Sequence, residues 1–198
     1  MNQLAVVCCL LLAGAVGPAN AADWKMDPSG SRLEFIAAYE RATAPGLFRE
    51  FDTRLRFDPE RLAESRIDVT IATGSAEMRS DVASATLHAP EWLDVARFPR
   101  AGFYAASVRG VGANRYVAAG TLRLKGIERL IEVPFTWTAA GATATMQGDL
   151  TINRLAFGIG GNEAASTRAI VPIVGADVRL RFRILLIAAG VSSARQRD

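Results

Sequence analysis

Apolar and charged residues alternate one for one along this chain, segment after segment, and that rhythm excludes most architectures. Val178, Leu180, Phe182, Ile184 and Leu186 are interleaved with Arg179, Arg181 and Arg183. Successive side chains of a strand point to opposite faces, so one row is buried while the arginines stand in water. Phe51, Thr53, Leu55 and Phe57 repeat the pattern against Asp52, Arg54 and Arg56. Ile67, Val69 and Ile71 do so against Asp68 and Thr70, and Leu122 and Leu124 against Thr121 and Arg123. Ile131, Val133, Phe135 and Trp137 oppose Glu132, Pro134 and Thr136, and Leu33, Phe35, Ala37 and Tyr39 oppose Arg32, Glu34 and Glu40. Further strands are expected at Phe103 to Val108 and Thr143 to Ile152. Breaks fall at Asp58-Pro59, Gly110 to Asn114, Lys125-Gly126 and Ala140-Gly141, and the later ones are short enough for hairpins. Roughly eight even strands, each with one apolar face, predict an all-β antiparallel barrel or sandwich. A parallel α/β sheet would need recurring crossover helices, and none recur.

One segment departs from the rhythm. Ser80 to Leu93 reads as helical, with Ser80 as cap, Asp81 in the first turn, and Val82, Ala85 and Leu87 at roughly helical spacing. Pro90 ends or kinks it, and Glu91 to Asp94 is expected to add a turn. A helix within a series of hairpins commonly closes a barrel mouth. The inward rows also carry Ala37, Thr53, Ala105, Ala118, Gly120 and Thr151. Small residues opposite large ones fit both a hollow barrel and a packed taper.

The two ends of the chain follow other rules. Met1 to Ala21 holds no charged side chain, and Leu4 to Val16 is an apolar run. Gly17-Pro18 then breaks any helix, and Ala19-Asn20-Ala21 has the small-x-small form of a cleavage site. The run is shorter than the roughly 20 residues of a membrane-spanning helix. Residues 1–21 are therefore expected to be a signal peptide cleaved after Ala21. Cleavage removes Cys8 and Cys9, the two cysteines of the sequence, so the mature domain (22–191) must be stable without disulfides. Residues 192–198 are expected to be a flexible tail.

Chemistry is sparse. The formal net charge is +3, and its arginines are spread along strands rather than gathered with stacking aromatics, which argues against a nucleic-acid partner. His88 is the one histidine, and a zinc site needs three or four ligands, normally His or Cys. There is no G-x-S-x-G elbow. His88, late in the helix, is expected to interact with the helix C-terminus. Gly158-Ile159-Gly160-Gly161 lacks the Lys-Ser/Thr of a phosphate loop and reads as a turn or bulge. Asp81, Glu91 and Asp94 read as the solvated face of the helical segment.

Particular strings carry a resemblance. Trp24-Lys25-Met26-Asp27, Ser31-Arg32-Leu33-Glu34-Phe35, Gly46-Leu47-Phe48, Phe57-Asp58-Pro59, and Trp92-Leu93-Asp94 with Phe98-Pro99 and Phe103 follow one another in order. Gly120 to Gly126 and Asn153-Arg154-Leu155-Ala156-Phe157-Gly158-Ile159-Gly160 complete the set. From about Trp24 to Ile187 the chain resembles YceI-like proteins. The resemblance implies a lipocalin-like, extended eight-stranded barrel exported to the periplasm. It also implies a polyisoprenoid-type lipid ligand, such as an isoprenoid quinone or a polyprenyl phosphate. Some relatives are linked to cytochrome b561-type membrane proteins, and a homodimer would follow by analogy. The chain departs from the family pattern at Tyr39, where His is frequent, and at Arg79-Ser80-Asp81, where an Arg-Asp pair is split.

The leading expectation is a periplasmic carrier or sequestering protein for an isoprenoid-like lipid, with no catalytic residues, metal or cofactor. Leu33, Phe35, Phe51, Leu55, Val69, Phe103, Leu122, Phe135, Ile152, Leu180 and Phe182 are expected to line the tunnel. Arg79 and Arg154 are candidates for an anionic head group at the mouth. Two alternatives stand beside it: a filled barrel that docks on a membrane cytochrome without a ligand, and a lipocalin-fold enzyme acting on a lipid through His88.

Overall fold

The computed structural model describes residues 23–39, 42–160 and 174–189. The expected signal peptide, the expected tail and Gly161 lie outside the described residues. Ten strands are present: β1 (Asp23–Tyr39), β2 (Ala42–Phe48), β3 (Phe51–Arg56), β4 (Arg66–Ala72), β5 (Ala76–Met78), β6 (Arg100–Gly112), β7 (Arg115–Leu124), β8 (Ile127–Ala140), β9 (Thr143–Asn153) and β10 (Val174–Ala188), with one helix, α1 (Asp81–His88). Their order is β10-β9-β8-β7-β6-β4-β3-β1-β2-β5, and β10 pairs again with β1. Along β1, β3 partners Asp23–Lys25 and β2 partners Leu33–Tyr39. β2 and β3 are thus two halves of one bent stave, and β4 and β5 form another. Ten strands therefore make a closed eight-stranded antiparallel barrel.

The alternation in the sequence becomes the two faces of the wall. Phe182, Ile184 and Leu186 are buried, while Arg179, Arg181 and Arg183 are exposed. Thr151, expected inside, is exposed instead, because its neighbour Ile152 takes the inward position on the two-residue period. The Lys125-Gly126 loop has positive φ at both residues, 49° and 76°. That is the two-residue type I′ turn, whose twist matches the flanking strands.

α1 is shorter than the sequence predicts. Ser80 caps it by accepting a hydrogen bond from the Ala83 amide, and it ends at His88. Ala89 is extended (φ −63°, ψ 161°), as the residue before Pro90 must be to clear the proline ring. Residues 90–93 continue as turns rather than helix.

Closure depends on β1. It pairs with β10 from Trp24↔Ala188 to Tyr39↔Val174, interrupted between Asp27 and Arg32 by a bulge. Ser31 repairs that interruption: its hydroxyl donates to the Asp27 carbonyl at 2.7 Å and accepts from the Leu185 amide at 3.0 Å. Arg56 also bonds Asp23 across β1 and β3 and holds its carboxyl below the usual carboxylate range. That contribution is present above the unfolded carboxylate pKa and fades as pH falls through the folded one. Both groups are exposed, so it is small.

Aromatic side chains fill the interior at the lower end of the barrel. Trp24, Phe57, Tyr116, Phe135 and Trp137 meet there with ring centroids 4.7–5.7 Å apart. All five are buried, and the Trp24 indole donates to the Phe57 carbonyl at 3.1 Å. Edge-to-face contacts of this kind add to what area burial alone gives.

One seam of the wall is only half closed. The β8–β9 ladder runs from Ala140↔Thr143 to Thr136↔Gln147 and stops. With β7, β8 stays paired to Ile127. In both hairpins the hydrogen-bonded positions alternate from the turn, which places the backbone groups of Pro134, Glu132 and Leu130 toward β9. Proline has no N–H to give, so the ladder ends at the first position where one is needed. Amide exchange is therefore expected to alternate along β8. Leu130 and Glu132 should exchange fast while Ile131 and Val133, bonded to β7, are protected. Uniform protection across 130–133 would contradict this account of the seam.

Candidate ligand-binding site

Above the aromatic plug the same inward rows carry aliphatic and small side chains, and the interior is hollow. The cavity has a volume of about 490 Å³, within the roughly 300–1,000 Å³ of small-molecule sites. Its walls come from Phe35 and Ala37 of β1, Phe48 of β2, Ile71 of β4, Ala101 of β6, Leu122 and Leu124 of β7, Ile152 of β9, and Val178 and Leu180 of β10. Val82, Ala83, Thr86 and Leu87 of α1 cover it from above, with Met78, Trp92 and Leu93. Val82 is 77% exposed and no residue of α1 is fully buried. The cover is therefore thinly packed. Such an element belongs to the low-stability part of a fold.

Four of the eleven residues expected to line a tunnel do line this cavity: Phe35, Leu122, Ile152 and Leu180. Leu33, Leu55, Phe103, Phe135 and Phe182 are instead buried in the packed core, and Phe51 and Val69 pack against it. All these residues sit on the apolar rows. Along β1 and β10 the division follows position in the row: Phe35 and its partner Leu180 line the cavity, while Leu33 and its partner Phe182 do not. Several lining residues went unselected in the sequence, among them Trp92, Leu124 and Phe48. Leu124 shares a face with Leu122 two positions earlier, and that period marks it as inward.

The two arginine candidates differ. Arg79 is exposed and is not among the cavity walls. Arg154 is 6% exposed and is the one charged residue among the described walls. Asn153 starts its short turn by accepting hydrogen bonds from the Leu155 and Ala156 amides. The turn ends at Gly158, whose φ of 64° is the left-handed conformation. The fold-back brings the Ile159 carbonyl to Nη1 (2.6 Å), and the start of β10 supplies those of Gly175 at Nε (3.0 Å) and Val174 at Nη2 (2.8 Å). Trp92 lies 5.2 Å away as a cation–π partner. Among the described residues, no carboxylate forms a salt bridge with Arg154.

A second cation braces the same end. Lys125 Nζ donates to the carbonyls of Pro90, Glu91 and Gly158 at 2.9–3.1 Å. Burial pushes its pKa down, while Asp94 and Glu91 pull it up. His88 Nε2 lies 2.8 Å from the Ala76 carbonyl, so the protonated nitrogen ties the end of α1 to β5. The contact expected with the helix C-terminus is thus made to the neighbouring strand. Among the described residues, no three His, Cys, Asp or Glu side chains gather as a metal site.

Filling the hollow tests it directly. Ala101→Phe adds a ring on the cavity wall and should weaken uptake of an apolar fluorescent probe by at least about tenfold, the equivalent of about 1.4 kcal/mol. Thermal stability should stay near that of the parent, because the ring enters empty space. Unchanged probe binding in a folded variant would show that ligands go elsewhere.

Known proteins share this architecture. A model of the YceI-like domain matches residues 24–186. A protein of Shewanella denitrificans described as UPF0312 is 29% identical over 127 residues, spanning 63% of this chain and 65% of that protein. A UPF0312 protein of Pseudomonas savastanoi pv. phaseolicola is 29% identical over 156 residues, spanning 74% and 81%. The crystal structure of Burkholderia cenocepacia BcnA superposes with a TM-score of 0.75 at 28% identity, covering 81% of this chain and 98% of BcnA. A polyisoprenoid binding domain from Saccharophagus degradans superposes with a TM-score of 0.67, covering 85% and 99%. At 15% identity that second likeness is one of fold. With the match running through nearly every strand described above, the chain belongs to the YceI-like family.

Proposed function

We propose that this protein carries or sequesters an apolar, isoprenoid-like lipid, such as an isoprenoid quinone or a polyprenyl phosphate, in the periplasm. The observation that carries the reading is the hollow upper half of the barrel: about 490 Å³ enclosed by aliphatic and aromatic side chains. Burying apolar surface contributes roughly 25 cal/mol per Å², so a lipid chain needs only a dry, shaped hollow to be held. The likeness in fold to a polyisoprenoid binding domain supports the same ligand class. The leader-like residues 1–21 support export.

The residues around the hollow favour binding over chemistry. His88 has its Nε2 committed to the Ala76 carbonyl, and Arg154 and Lys125 are held by backbone carbonyls. Protein purified mildly from a bacterial periplasm, examined by native mass spectrometry and lipid extraction, should carry a prenyl lipid or quinone, or take one up when offered. An empty protein that takes up neither would overturn the reading.

A further inference from the structure

The elements that cover the cavity are not held equally. The turn from Pro90 to Leu93 is fastened by several contacts. Lys125 donates to the Pro90 and Glu91 carbonyls, the Gly160 amide donates to Glu91, and Arg154 lies over the Trp92 ring. Leu93 is buried. α1 is held less firmly. It turns Val82, Ala83, Thr86 and Leu87 to the cavity, and none of its residues is fully buried. Hydrophobic stabilisation scales with the apolar area removed from water, so burial alone holds this helix weakly.

Two side chains fasten it sideways. Among the described residues β5 ends the strand order and pairs with β2 alone. Residues two apart on a strand offer their backbone groups to the same edge. On β5 the Met78 amide and the Ala76 carbonyl both turn to α1. Ser84 Oγ accepts from that amide at 2.9 Å, and His88 Nε2 donates to that carbonyl at 2.8 Å. Ser84 and His88 are four residues apart, one above the other on a single helix face. The helix is thus buttoned along the free edge of β5 by two hydrogen bonds.

We propose that α1 is the gate of the cavity, latched to β5 by Ser84 and His88, and that ligands pass where the helix lifts from the strand. The latch bonds involve no ligand, so they are the same in the filled and the empty protein. Removing them makes opening more frequent in both by one factor. Entry and exit then quicken together, and the affinity, which is their ratio, is unchanged. The proposal rests on the carrier reading in taking the hollow as the binding site, and adds to it the route and what controls the rate.

The test is stopped-flow uptake and release of N-phenyl-1-naphthylamine, an uncharged fluorescent probe. One net hydrogen bond shifts an opening equilibrium by about two- to tenfold. Ser84→Ala and His88→Ala should each speed entry and exit by at least about threefold, and together by at least about tenfold, with Kd changed less than about threefold. His88→Gln keeps an N–H at a similar reach and should stay within about twofold of the parent. In His88→Ala the Met78 amide, still bonded to Ser84, should exchange faster by the factor seen in probe release. Arg129→Gln serves as the control. Its guanidinium donates to the Ala156 carbonyl at 3.3 Å beside the half-closed β8–β9 seam, and its loss should leave both rates as they were.

A second measurement needs no variant. At a pH high enough for exchange to read the opening rate itself, Met78 of the probe-loaded parent should exchange at least as fast as the probe leaves. Slower exchange would exclude the gate. Parent-like rates in folded latch variants would also overturn it, as would weaker affinity with unchanged entry. Exchange quickened as much by Arg129→Gln as by the latch variants would move the route to the seam. A parent that takes up no apolar probe would instead count against the carrier reading itself.

Discussion

The pairing of β1 with β10 is the interaction on which the rest depends. It joins the first described strand to the last and converts an open sheet into a barrel with an interior. The joint is not smooth, since β1 carries extra residues between Asp27 and Arg32. Ser31 supplies from its side chain the hydrogen bonds that the bulged backbone cannot. β1 also holds the two halves of the β2/β3 stave, one at each end. Only a closed wall has an inside that side chains can fill or leave empty.

Inside that wall, filling is uneven, and the unevenness is the basis of the proposed function. At the lower end five aromatic side chains interlock. Burying large side chains completely contributes roughly 1.5–3 kcal/mol each, and this end supplies much of the core. At the upper end the same rows present Ala37, Ala101, Leu122 and Val178. Side chains around a hollow forgo dispersion contacts, a loss the packed half offsets. Arg154 and Lys125 organise this end by gathering carbonyls, Lys125 from the turns at Pro90, Glu91 and Gly158, and Arg154 from Ile159 and the start of β10. Fixing the mouth with cations leaves the hollow itself free of crossing side chains.

Much of the barrel was legible in the sequence, because a two-residue period states directly which face each side chain takes. Eight strand segments, the turn at Lys125-Gly126 and the helix cap at Ser80 follow from local rules, whereas β2 and β5 carry no such alternation and were not expected. The site was less legible. Phe35 and Phe135 look equivalent in the pattern, yet one lines the hollow and the other fills the plug. Height along the barrel depends on register between strands far apart in sequence, which alternation does not encode. Arg154 shows the same limit: its string matched a family motif, but its burial follows from a turn that brings Ile159 and the start of β10 onto it. Pro134 was placed correctly on a strand, while its effect on the β8–β9 ladder needed the register of two hairpins.

The three tryptophans report on the two halves separately. Trp92 lines the hollow, whereas Trp24 and Trp137 lie in the plug. A prenyl lipid brominated along its chain quenches indole fluorescence only on close approach, so its position can be read in variants that keep one tryptophan each. A half-filled barrel predicts strong quenching of Trp92 and little of Trp24 or Trp137. Quenching of all three, or of none with the lipid bound, would contradict it.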